Sequence, residues 1–342
     1  MSKALMSRPG IYPVQRIQTL IAQGGVSFKT PLDTDQVQPA SLDLRLGARA
    51  FRLRASFLPG ENRTVSECLT DDLVMHEVDL TAGAVLETGC VYLVELQEAL
   101  NLPAGLSAAA NPKSSTGRLD VFTRVITDRA SAFDRIEVGY SGPLYVEIAP
   151  RTFSVLAHKG ERLVQIRFRS GAPQILRSET VSIDLAGING SDIIGWRARR
   201  HAGLVKLRGR DHRAEDYWEP VRARAGRMIL DPEEFYILAS KESVSIPVTE
   251  AAEMAPVALE IGEFRAHYAG FFDPGFGIAS AGGKGSRAVL EVRGRDVPFI
   301  LEHGQPVARL VFEPMTEAPD VLYGENGSHY QAQGLRLSKH FT

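Results

Sequence analysis

Two short runs of this chain carry residue types that could do chemistry. The first, Asn111-Pro112-Lys113-Ser114-Ser115-Thr116-Gly117-Arg118, packs hydroxyls, an ammonium and a guanidinium into a turn-rich segment. Directional donors and positive charge at that density suit the oxygens of an anion, phosphate above all. The second, Gly139-Tyr140-Ser141-Gly142-Pro143-Leu144-Tyr145-Val146-Glu147-Ile148, reads as a turn leading into a strand with one carboxylate among apolar and aromatic neighbours. Taking that carboxylate out of water would raise its pKa toward the range in which it can move protons, which makes Glu147 the leading candidate general base.

These runs need elements to hold them. From Leu86 onward the chain is dominated by short runs of Val, Ile, Leu, Tyr and Phe broken by Gly, Pro, Asp and Lys, as in Val91 to Leu96, Leu144 to Ala149, Phe153 to Leu156 and Leu163 to Phe168. That pattern predicts an all-β sandwich or barrel with tight turns. One short helix is expected after Tyr12, with Pro13 near its first turn, Val14, Ile17 and Ile21 on one face, and Gly24-Gly25 as its stop. In Gln38 to Gly47 the leucines at 42, 44 and 46 alternate with Asp43 and Arg45 as in a half-buried strand. Its polar face is read either as solvated or as part of a subunit contact.

The 342 residues exceed one typical domain and suit two. An internal repeat says how they divide. Tyr92 and Tyr236, Pro103 and Pro247, Glu147 and Glu291, Gly160 and Gly304, and Phe168 and Phe312 are all 144 positions apart. Two copies of one β-fold are therefore expected, joined near Ser170 to Ser182. The copies are not equivalent. Ser114, Ser115 and Arg118 correspond to Ala258, Leu259 and Gly262, so the second copy lacks the phosphate-type turn. Glu291 is open to three readings: a relic, a structural residue, or part of a composite site.

With 39 Lys and Arg against 41 Asp and Glu, a broad polyanion-binding surface is disfavoured, and no nucleic-acid partner is expected. The basic run Arg197 to Arg213 is read as a solvated inter-domain segment or as additional contacts to nucleotide phosphates. Two cysteines, Cys68 and Cys90, exclude a disulfide scaffold and a multi-thiolate metal site. His76-Glu77 lacks the second His of a zincin helix, no Gly-rich loop leads into a helix, and the zinc-deaminase signature is missing. No secretory signal or membrane span is read, so a soluble, cytoplasmic protein is expected.

Taken together, Pro39-Ala-Ser-Leu-Asp-Leu-Arg-Leu-Gly47, Ser114-Ser115-Thr-Gly-Arg118, Tyr140-Ser-Gly-Pro-Leu-Tyr-Val-Glu147 and the tail Tyr323…Tyr330-Gln-Ala-Gln333-Gly334 resemble the deoxycytidine triphosphate deaminases of the trimeric dUTPase-like superfamily. The duplicated organisation looks like the longer two-copy bacterial form. The resemblance implies a mainly β protein made of two tandem dUTPase-like barrels or sandwiches with a few short helices. Residues 1–172 would carry the catalytic motifs, and residues 173–342 the degenerate turn and a C-terminal arm that closes over the nucleotide. The implied reaction is zinc-independent hydrolysis of dCTP to dUTP and ammonia, with Glu147 activating the water and Ser114 holding it. Ser115 and Arg118, beside Lys113, would bind the triphosphate. Thr127, Asp128 and Arg129 would lie at the base, and Tyr323, Tyr330 and Gln333 would belong to the closing arm. Magnesium would ride on the phosphates, and the sites would lie between β-copies of a homo-oligomer.

The chain departs from the family pattern at three places, one of them a tail one residue shorter between Gln333 and Gly334. Thr127-Asp128-Arg129 stands where an Ala-His-Arg run is common, and the usual Asp-Pro-Gly connection appears only in the second copy, as Asp273-Pro274-Gly275. A dUTP pyrophosphatase or bifunctional enzyme, drawing on Asp128, Asp134 or Glu137, is the alternative within the fold. A non-catalytic nucleotide sensor is the alternative outside enzymology.

Overall fold

The computed structural model describes residues 8–187, 190–256, 264–267 (backbone), 270–278, 285–325 and 334–342. Strands dominate, and the described helices are Val14–Ala22 and three single turns. The helix Val14–Ala22 starts after Pro13 and buries Val14, Ile17 and Leu20.

The first half forms two main antiparallel sheets. In one, the strand Ser141–Pro150 is central, paired to Val91–Asn101 on one side and Val121–Thr127 on the other. In the other, Val164–Ser170 pairs with Leu106–Pro112 and with Leu42–Leu44. Alternation along these strands turns leucines, valines and isoleucines inward to a shared core.

The second half repeats the plan. Phe235–Val244, Glu250–Pro256 and Phe299–Glu302 begin 144 residues after Val91–Asn101, Leu106–Pro112 and Val155–Ala157. Ser286–Gly294 pairs with Phe235–Val244 and with Phe264–His267, as its counterpart Ser141–Pro150 does in the first half. The repeat read from five residue pairs is thus visible strand by strand.

The halves are joined by packing as well as by chain. Trp218, Phe235, Ile237 and Val289 belong to the first half's core. Strand Val205–Lys206 adds in parallel to Val155–Ala157. The C-terminal Phe341 inserts among Phe153, Tyr217 and Trp218 with ring separations of 5.2 to 6.2 Å, within the range of favourable aromatic contact. Arg167 of the first half reaches Asp273 of the second at 2.9 Å and stacks 4.0 Å from the Phe271 ring.

The polar face of the Leu42–Leu46 region is not solvated. Asp43 pairs with Lys113, and Arg45 bonds Glu98 at 2.8 Å, with Asp43, Arg45 and Glu98 all buried. A buried guanidinium survives only with such partners. In the basic run, Arg197, Arg200 and Arg213 pair with Glu219, Glu234 and Glu215. Among the described residues no helix is long and apolar enough to cross a membrane.

Candidate active site between the two copies

The phosphate-type turn forms where expected. Strand Leu106–Pro112 ends at Pro112, and Ser114–Gly117 makes one helical turn that delivers Arg118. Thr116 donates its hydroxyl to the Leu163 carbonyl at 2.8 Å, and the Lys113 amide donates to the same oxygen. The neighbouring strand thus holds the turn in place. Lys113, Ser114, Ser115 and Arg118 all line a cavity of about 670 Å³.

Glu147 is not in that cavity. It lies in the middle of its strand, 1% exposed, where Arg124 holds one carboxylate oxygen at 2.5 and 3.1 Å. Arg124 is itself fixed by the Ser56 hydroxyl and by the Phe133 ring 3.7 Å away. The segment between the paired residues Arg54 and Leu73 packs over this face, placing Val65, Phe57 and Leu69 with Ile126 and Tyr145. The expected pairing of Glu147 with Ser114 is therefore absent within the chain.

Thr127, Asp128 and Arg129 go with Glu147 under the same cover. Thr127 is buried opposite Leu144, Asp128 accepts the Val65 amide at 2.7 Å, and the Arg129 amide bonds the Arg63 carbonyl. None lines the cavity. Tyr330 and Gln333 lie outside the described residues, as do Ala258, Leu259 and Gly262.

The second copy brings a carboxylate to this cavity. Glu291, in the middle of strand Ser286–Gly294, lines the cavity with its side chain 7% exposed and its Oε1 4.0 Å from Arg118 Nε. Burial raises its pKa from 4.5 to about 8, even though the Arg118 guanidinium pulls it down. Desolvation therefore outweighs attraction, and the carboxyl can hold or release a proton near neutrality. Two residues along the same strand face, Arg293 pairs with Asp120, which also accepts the Thr152 hydroxyl at 2.6 Å. This pair clamps the Glu291 strand to the chain just after Arg118.

More of the second copy's wall comes from Phe271, Phe272 and Asp273, which are 144 positions after Thr127, Asp128 and Arg129. The Asp273-Pro274-Gly275 turn brings Tyr323 in: its amide donates to the Pro274 carbonyl at 2.9 Å, and its ring packs 5.4 Å from Phe276. Gly275 has φ +93°, and a Cβ there would sit 2.9 Å from Leu322 Cβ, so the turn needs glycine. Tyr323 lines the cavity.

Lining residues that the sequence reading did not single out include Lys339 and His340 from the C-terminal end, and Glu291 had been left open between three roles. Glu291 had a signal. The turn occurs only in the first copy and Asp-Pro-Gly only in the second, so each copy holds half of the motif set. Among the described residues no three His, Cys, Asp or Glu side chains are grouped to hold a metal ion. The cavity acids Asp35 and Asp43 face Arg162 and Lys113 instead.

Comparison with known proteins finds relatives of both halves of the chain. The 2'-deoxycytidine 5'-triphosphate deaminase N-terminal domain family matches residues 8–172, and the corresponding C-terminal domain family matches residues 151–341. A crystal structure of 2'-deoxycytidine 5'-triphosphate deaminase from Agrobacterium tumefaciens superposes with a TM-score of 0.85 at 53% identity, covering 90% of this chain and 99% of that one. A dCTP deaminase of Halorubrum lacusprofundi is 31% identical over 150 residues, 43% of this chain and 71% of its own. A dCTP deaminase of the dUMP-forming type from Beutenbergia cavernae is 30% identical over 158 residues, 44% of this chain and 75% of its own. With both halves matched in order and the strand plan shared, the chain belongs to the dCTP deaminase family of enzymes and has its dUTPase-like β-fold.

Proposed function

We propose that this chain converts dCTP and water to dUTP and ammonia in the cavity between its two copies, with Glu291 as the proton-transferring carboxylate. The observation that carries the reading is the placement of one buried carboxyl, its pKa raised to about 8, across from the only phosphate-type turn of the described residues. We take residues 1–172 and 173–342 as the two copies, each contributing half of the site.

Ionised Glu291 takes a proton from water, and the oxygen adds to C4 of the cytosine. The proton passes to N3, a second goes to the exocyclic nitrogen, the C4–N bond breaks and ammonia leaves as the C4 carbonyl forms. One carboxyl with a pKa near neutrality can serve as base and then as acid. Ser114 is positioned on the turn to hold the water, while Ser115, Lys113 and Arg118 grip phosphate oxygens. Phe271, Phe272 and the buried Asp273 turn wall the base side and exclude bulk water. Magnesium fits as a companion of the triphosphate, since the cavity's acids Asp35 and Asp43 are engaged by cations; bound there it would neutralise phosphate charge.

A second reading, in which the same protein also cleaves dUTP to dUMP, is favoured by the dUMP-forming name of relatives such as that from Beutenbergia cavernae. Against it, Asp128, Asp134 and Glu137 lie outside the cavity. Asp134 accepts the Val125 amide at 2.7 Å, and Glu137 is exposed beside Arg135. Incubation with dCTP and magnesium, followed by separation of dUTP, dUMP, ammonia and pyrophosphate, tests both. Ammonia with equimolar dUTP supports deamination alone; ammonia with dUMP and pyrophosphate supports the second reading; no ammonia rejects both.

A further inference from the structure

The last nine residues do not trail away from the protein. Phe341 is seated in the Phe153, Tyr217 and Trp218 cluster, and Thr342 exchanges backbone bonds with His212 and Ala214. At the other end of the segment, the Ser338 hydroxyl donates to the Ser115 carbonyl at 2.8 Å, and Arg118 donates to the Arg336 carbonyl at 2.8 Å. His340 is buried between the Ser338 hydroxyl and the Leu207 carbonyl. The C-terminal segment is therefore tied directly to the backbone of the phosphate-type turn, and Lys339 is suspended between two anchored residues on the cavity wall.

We propose that Lys339, with Arg210 from the loop after strand Val205–Lys206, is a ligand of the nucleotide's triphosphate. This rests on the reading of the cavity as the dCTP site. Lys339 and Arg210 line the same cavity as Lys113, Arg118 and Arg162, so the cationic side chains come from three separate parts of the chain. Burial, followed by the like charges of Lys113 and Arg210, holds the Lys339 ammonium below the usual lysine range. An arriving polyanion relieves that repulsion and favours the charged form. Of the acids lining the same space, Asp35 and Asp43 are already engaged by Arg162 and Lys113, and burial raises Glu161 to about 7 and Glu291 to about 8. A lysine serves here as a point charge on a flexible stem, suited to a terminal phosphate rather than to planar recognition.

Calorimetric titration of the full chain with dCTP, dCMP and deoxycytidine, with magnesium present, tests this in the parent, Lys339→Met and Lys339→Arg. The parent should bind dCTP more tightly than dCMP. Lys339→Met should lose tenfold or more in dCTP affinity with deoxycytidine affinity unchanged, and Lys339→Arg should recover most of the loss. In turnover, KM for dCTP should rise while kcat stays within about threefold. A Lys339→Met variant that keeps the parent's preference for dCTP, or that loses deoxycytidine affinity equally, overturns the assignment. A parent that does not prefer dCTP over dCMP instead overturns the reading of the cavity on which it rests.

Discussion

Arg118 of the first copy and Glu291 of the second face each other at 4.0 Å, both nearly inaccessible to water. Opposite charges at that separation attract by about 4 kcal/mol at an effective dielectric of about 20, yet the Glu291 pKa still ends about 8 because burial costs more. The pair is therefore poised rather than locked. Glu291→Gln is expected to abolish ammonia release while dCTP affinity stays within about tenfold, roughly 1.4 kcal/mol. Glu147→Gln is expected to leave turnover within about threefold. Steady-state ammonia assays on the two variants decide between the carboxylates, and the reverse outcome would return the chemistry to Glu147.

Arg118→Ala removes a charge-assisted phosphate contact, worth about 1.5 to 3 kcal/mol, and should raise KM for dCTP by about 10- to 150-fold. It also removes the cation that lowers the Glu291 pKa, so the pH at which activity rises should move upward. A variant with higher KM and an unmoved pH profile would separate Arg118 from Glu291.

The pH dependence of stability follows from the same carboxyl. Glu291 has a folded pKa of about 8 against an ordinary 4.5. Below pH 4.5 it is protonated in both states and costs nothing. Between pH 4.5 and 8 the unfolded chain ionises first, so the folded state loses up to about 1.4 kcal/mol per pH unit from this group. Glu291→Gln should therefore match the parent near pH 4 and exceed it progressively toward pH 8. Urea midpoints of the two proteins at pH 5 and pH 8 check this, and a constant difference would contradict it. Activity should rise over a similar range, since the ionised form is the base.

How far the sequence could lead is shown by where Glu147 and Glu291 went. The strand runs, the helix after Pro13 and the 144-residue repeat were legible because alternation and spacing are local properties of the chain. The turn at Lys113 to Arg118 was legible for the same reason. Which copy's carboxylate meets that turn was not, because it depends on how two β-units pack, and Glu147 and Glu291 sit in nearly identical strands. Asp43 and Arg45 failed similarly: an alternating polar face reads as solvated until Lys113 and Glu98 arrive from distant strands to neutralise it. Lys339 lies beyond the tail motif and had no local signal at all.

Glu147 has a structural task that can be measured. Its Oε1 neutralises Arg124, whose side chain is about three-quarters buried beneath the Ser56 to Leu73 cover. Glu147→Leu should destabilise the protein by about 3 kcal/mol, because it leaves a largely buried guanidinium without its partner. Glu147→Gln, which retains an acceptor, should cost less. Equal melting temperatures for parent and Glu147→Leu would mean that Arg124 finds another partner.

The contact between Arg167 and the Asp273 turn couples stability to the base side of the cavity. Arg167 is 2% exposed, holds Asp273 at 2.9 Å, bonds the Ala252 carbonyl at 3.1 Å and lies over the Phe271 ring. Asp273 is buried, its pKa raised by burial against the pull of Arg167. Breaking such a pair costs about 3 to 5 kcal/mol when one charge is left behind. Arg167→Leu should therefore be much less stable than Arg167→Leu with Asp273→Asn, which removes both charges. Both variants release Phe271 from the guanidinium, so both should lose activity toward dCTP, through kcat more than KM if the turn orients the base rather than the phosphates. Urea denaturation and steady-state kinetics on the two variants separate these effects. Restored stability with activity still depressed would show that Arg167 positions the site, whereas full recovery of both would leave it only a fold-stabilising role.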